Sequence, residues 1–150
     1  MKLEYTIYVD AKPEKVWEAL VSPEGTKAAF FGSELQSSFE EGAPFQYVGP
    51  NQSGDTIVHV YGHILSCEPY RQLAYLEHPG PSYYEQHAKL TSRIVFELEK
   101  AGSTTKVTLI NDEWSDNHPG IDNSRAAWPM VLSSVKTWCE TGATLNFGWS

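Results

Sequence analysis

One segment of this chain is large enough to cover a sheet. "AAWPMVLSSVKTWCETG", Ala126 to Gly142, sets Val131, Leu132, Val135, Trp138 and Cys139 at helical spacing on a single apolar stripe. Most of the preceding chain has the two-residue period of strands. A sheet must bury one face, and here the last helix is the cover. The expected class is therefore α+β. A curved antiparallel sheet of about six to seven strands wraps around a long C-terminal helix, with two short helices after strand 1. Pro129 costs little in a first helical turn and about 3 kcal/mol well inside a helix. The main helix is accordingly expected to begin near Trp128, after a short turn over 121–127, and Gly142 to stop it.

The strands are read from alternation and turn residues. "LEYTIYVD" puts Leu3, Tyr5, Ile7 and Val9 on one face. In "DAKPEKVWEAL", Asp10 is placed to cap and Pro13 to open a helix; in "SPEGTKAAFFG", Ser22 caps, Pro23 opens and Gly32 ends a second one. "SELQSSF" and "PFQYVG" flank the turn "EEGA", and "TIVHVYGHILSCE" is a long strand expected to bend at Gly62. "RQLAYLEH" is a further strand. "SRIVFELEK" and "TKVTLINDEW" form a hairpin around "AGST". With no repeat or composition break, the 150 residues are expected to form one domain.

Charge removes several classes of function. The formal net charge is −8 with no Lys/Arg stripe, which excludes nucleic acid and disfavours anionic membrane surfaces. No stretch approaches the roughly 20 apolar residues of a membrane helix. The N-terminus has no continuous apolar core of an export signal, so the expected compartment is the cytoplasm, with Cys67 and Cys139 as free thiols. No cofactor motif is present. His59 and His63 lie four residues apart on a strand, about 13 Å at the strand rise, too far for one ion. The acidic stretch "NDEWSDNHPGID" lacks the EF-hand spacing and reads as a solvated loop. No serine-hydrolase or reactive-thiol context occurs, so no catalytic residue and no metal ligand is assigned.

Parity picks out the better candidates. If Leu73 and Tyr75 face inward, so does Glu77; if Val107 and Leu109 do, so does Asn111. A carboxyl and an amide on an apolar face need partners, from ordered water, a ligand or solvent at the strand ends. Phe96 shares the inward parity, Leu132 and Val135 face it from the helix, and Trp128 and Tyr61 could line a mouth. The expectation is a ligand-sized, mostly apolar cavity under the helix, with Glu77 and Asn111 orienting a small hydrophobic molecule.

In order and spacing, four segments carry a resemblance over nearly the whole chain: "DAKPEKVWEAL", "YGHILSCEPYRQLAY", "SRIVFELEKAGSTTKVTL" and "AAWPMVLSSVKTWCETG". The chain resembles the START/Bet v 1-like helix-grip superfamily, in its branch of activator of Hsp90 ATPase homologue 1-like proteins. Phe30-Phe31 stands where that branch usually has a Trp-Trp pair, and this brings Phe31 into the candidate site. Glu77 stands where an aromatic is frequent, and the loop "PGPSYYEQHAKL" is longer than usual. The resemblance implies a binding protein for a small hydrophobic or lipid-like molecule, as monomer or homodimer. It offers two alternatives: a chaperone-partner protein of the Hsp90 or stress-response kind, and a cyclase- or hydrolase-type enzyme using the same cavity.

Overall fold

A computed structural model describes residues 1–148. Strand β1 (Leu3–Val9) leads into helices α1 (Pro13–Val21) and α2 (Pro23–Ala29). Strands β2 (Glu34–Ser37), β3 (Pro44–Pro50), β4 (Thr56–Glu68), β5 (Gln72–Pro79), β6 (Ser92–Ala101) and β7 (Thr104–Asp112) follow, then helix α3 (Ile121–Thr141). The seven strands form one antiparallel sheet in the order β1-β7-β6-β5-β4-β3-β2. Hairpin connections explain all neighbours except β1–β7, a pairing that brings the first strand beside the last. The sheet curves around α3 in the helix-grip arrangement.

Local chemistry accounts for most boundaries. The Ser22 hydroxyl accepts the Gly25 N–H at 3.0 Å and caps α2, as expected. Asp10 does not cap α1. That role falls to Lys12 without a side-chain bond, and the Asp10 N–H instead donates to Glu140 at 2.7 Å, tying the end of β1 to the end of α3. Helix α2 stops at Ala29, earlier than Gly32, because Phe30 is already non-helical and Phe31 takes φ 54°. The register shifts of β4 lie at Val58/Val60 and Ile64/Ser66, on either side of Gly62. Gly62 serves close packing instead: a Cβ there would collide with the Leu76 carbonyl oxygen and lie 2.9 Å from the Phe45 ring.

Helix α3 corrects the reading of Pro129. The helix is continuous from Ile121, so Pro129 lies well inside it. Proline removes the bond to the carbonyl four residues back, which belongs to Arg125. The Tyr5 hydroxyl on β1 donates to that carbonyl at 3.3 Å. A side chain from the sheet thus supplies the donor that the helix lost. Trp128, Val131, Leu132, Val135 and Trp138 form the buried stripe of α3. They meet Leu73, Tyr75, Ile94, Phe96, Val107 and Leu109 of the sheet in one core.

Candidate functional site

Register decides which side chains share the concave face, because paired residues of antiparallel strands point the same way. One row across the sheet reads Phe45, Gly62, Glu77, Ser92. The next reads Ile64, Tyr75, Ile94, Asn111, Leu3. Glu77 and Asn111 therefore both face inward, as parity requires. Tyr61 does not: it pairs with Gln46 and His78, on the opposite face. There it stacks on His78 at 4.8 Å and bonds the His87 ring, so it forms no part of a concave site.

Asn111 has lost all contact with solvent and is satisfied within the protein. Its amide nitrogen donates to the Ser92 hydroxyl at 3.1 Å and to the Arg93 carbonyl at 3.0 Å. Its side-chain oxygen accepts the Trp128 indole N–H at 3.0 Å. The residue clamps α3 to β6 and needs no ligand to complete its bonds. Trp128 also meets Phe96 edge-on at 5.9 Å.

Glu77 is different. It is partly buried, and the Ser92 side chain lies beside it across the β5–β6 pair. Ser92 accepts from Asn111, which leaves its own proton available to the Glu77 side. Burial pushes the Glu77 carboxyl from 4.5 up to about 8, and the Ser92 bond offsets this only in part. The balance at neutral pH is thereby shifted toward the neutral acid. No Lys, Arg or His occupies a position on its row or on the next inward row.

Beside Glu77 lies an aromatic wall. The Tyr47 and Tyr75 hydroxyls bond each other at 2.9 Å, and burial raises both phenols well above their usual range. A charge on Glu77 would raise them further, which places the three groups together. Phe45 lies 4.5 Å from Tyr75, and Phe30 lies 5.0 Å from Tyr47. Phe31 sits at the rim, half-buried, against Phe147 at 6.1 Å. Tyr47 and Ser92 were not singled out from sequence. Both have the inward parity of their strands, but a tyrosine and a serine among apolar residues read as packing.

The ligand-sized hollow expected under Val135 is filled. Val135 and Phe96 are 0% exposed and Tyr75 1%, so no water-sized void touches them. Surface hollows occur elsewhere: one of about 430 Å³ lies between β1 and α3, lined by Tyr5, Ile7, Pro129 and Lys136. Another, of about 620 Å³, lies by Tyr70, Arg71 and Glu97. Among the described residues, no group of three or more His, Cys, Asp or Glu is placed to hold a metal ion. His59 bonds Tyr83 and the Pro50 carbonyl, while His63 is exposed. In the acidic loop, Asp112 pairs through both oxygens with Arg93. Both cysteines are free, and no helix is long and apolar enough to cross a membrane.

The sequence profile of the activator of Hsp90 ATPase homolog 1-like protein family matches residues 10–140. The chain belongs to that family. Solved structures with the same architecture include a protein from Mesorhizobium loti, 16% identical, covering 91% of this chain and 95% of that one at TM-score 0.71. The Aha1 dimer from Colwellia psychrerythraea is 18% identical, with 95% and 98% coverage and TM-score 0.70. A protein from Cytophaga hutchinsonii is 24% identical, with 92% of each chain covered and TM-score 0.69. At these identities the likeness carries the fold. No curated protein matches the chain in sequence. For this member of the Hsp90-activator-like family, what is distinct about the site must therefore be read from its own residues, foremost Glu77.

Proposed function

We propose that this protein is an intracellular binding protein for a small, mostly apolar molecule, which it takes at the concave face beside Glu77. One observation carries the reading: a carboxyl with no cationic partner, held neutral by burial yet still in contact with solvent, stands among the rings of Phe45, Tyr47 and Tyr75. Placing an acid there costs stability unless something uses it. Few polar groups in an apolar wall are what orient a ligand. Because the core under Val135 is packed, the reading sets the proposed site at the Glu77 end of the face, where a ligand would have to part the rings near Phe30 and Phe31.

A chaperone partner, which the family name brings with it, would bind an outer surface and leave Glu77 without a role. Native mass spectrometry of freshly purified protein, followed by titration with the neutral fluorophore N-phenyl-1-naphthylamine, tests the reading. A retained small molecule, or saturable one-to-one fluorescence enhancement that Glu77→Ala alters, supports it. No retained mass together with no saturable enhancement overturns it.

A further inference from the structure

The two edges of the sheet are not alike. Strand β2 is four residues long, and its Leu35 N–H is taken by the Thr26 hydroxyl of α2 at 3.1 Å. Strand β1 is seven residues long and pairs only with β7. Its outward main-chain groups belong to the even-numbered residues, as two contacts show. The Tyr8 carbonyl accepts the Lys136 ammonium at 2.7 Å, and the Asp10 N–H donates to Glu140 at 2.7 Å. The Lys136–Glu140 pair of α3 thus covers one end of this edge. At Glu4 and Thr6, among the described residues, no main-chain partner lies outside β7. Such a row of N–H and C=O groups is a template for one more strand.

The sequence of β1 fits a second copy of itself. In an antiparallel pairing, outward residues must stand opposite outward residues. A two-fold axis through Thr6 sets Thr6 against Thr6, Glu4 against Tyr8, and Lys2 against Asp10 of the other copy. Opposite charges then meet at both ends of the pairing. Other registers lose this. Centring on Glu4 sets that carboxylate against itself, and centring on Ile7 sets Glu4 against Asp10. On the concave side, Tyr5 and Ile7 are half-buried and line the hollow of about 430 Å³ beside Pro129 and Leu132. With the axis through Thr6, Tyr5 of each copy meets Ile7 of the other at the edge of that hollow.

We propose that β1 is a self-association surface, on which two copies of this chain join edge to edge about Thr6 into one continuous sheet. The contact is isologous, the same patch on both copies, so it closes as a dimer and does not propagate. The Tyr8 carbonyl keeps Lys136 on one lone pair and takes the Glu4 N–H of the second copy on the other. The proposal is independent of the binding reading above, and either can fail alone.

Sedimentation velocity of the full chain up to about 200 μM tests it, a range in which weak interfaces are populated. The parent is expected to pass from monomer to dimer as concentration rises. Thr6→Pro removes an outward N–H that β7 does not use, so it is expected to remain folded and monomeric throughout. Lys2→Asp is expected to weaken the dimer about threefold or more, since two exposed pairs turn from attraction to repulsion, and adding Asp10→Lys to restore it. These charge variants keep the proposal testable if the proline variant does not fold. A parent that stays monomeric, a dimer that survives Thr6→Pro, or a loss in Lys2→Asp that Asp10→Lys does not recover would overturn it. A monomer that carries a foreign peptide in its native mass spectrum would overturn it as well, since the edge would then take another protein's strand.

Discussion

Glu77 is the residue on which stability and the proposed binding role pull in opposite directions. Its folded pKa of about 8 lies above the ordinary value of 4.5. Below pH 4.5 the carboxyl is protonated in both folded and unfolded chains and costs nothing by ionisation. As pH rises from 4.5 to 8 the unfolded chain releases its proton and the folded chain keeps it, so stability falls across that window and levels off above it. Glu77→Gln removes the titration. The variant should gain about 2–4 kcal/mol relative to the parent between pH 4.5 and 8.5 in urea unfolding. His118, lowered by burial, tilts both proteins the other way and cancels in the difference. A parent-to-variant gap that stays constant with pH would show that Glu77 is not held neutral. Asn111 makes the complementary case. Asn111→Ala strands the Trp128 indole and opens a void, so it should cost about 2–4 kcal/mol by the same measurement. Parity on β5 and β7 made both residues legible as inward-facing. Which of them was already satisfied was not legible, because strand parity gives the side that a residue faces and not whether the Trp128 and Ser92 side chains reach it.

At the scale of elements, Pro129 shows where local reasoning stops. Propensity alone argues for a break at a proline, and the sequence reading shortened the helix accordingly. The helix is continuous there, with its buried stripe packed on the sheet, and Tyr5, more than a hundred residues away, donates to the orphaned Arg125 carbonyl. The strands, the hairpins and the Ser22 cap were readable, since each depends on neighbours in the chain; the pairing of β1 with β7 was not. The Asp10 cap failed because α1 begins only at Pro13, which puts Lys12 at the capping position. A double-mutant cycle follows from this. Tyr5→Phe should cost about 1 kcal/mol in the parent and distinctly less in Pro129→Ala, where the restored N–H of residue 129 serves the same carbonyl. Additive effects in thermal and chemical denaturation would mean that the tyrosine does not replace the missing bond.

For the molecule as a whole, the helix-grip architecture was legible from one apolar helix against many alternating strands, and the family profile over residues 10–140 agrees. The interior was not. A curved sheet under a helix suggests a hollow, but Phe30, Phe45, Tyr47, Tyr75, Phe96 and Trp128 fill the space with rings. How far aromatic side chains interdigitate depends on rotamers that no pattern encodes. Val135→Trp should accordingly overpack and lose at least about 1–3 kcal/mol. Unchanged stability would reveal empty space beneath the helix. The central claim is that a small apolar molecule binds at the Glu77 end of the concave face, and an amide NMR titration with N-phenyl-1-naphthylamine tests it most directly. The account predicts saturable shifts concentrated on Tyr47, Gly62, Tyr75, Glu77 and Ser92. Shifts confined to the outer face around Tyr61, His78 and His87, or no saturable shifts at all, would contradict it.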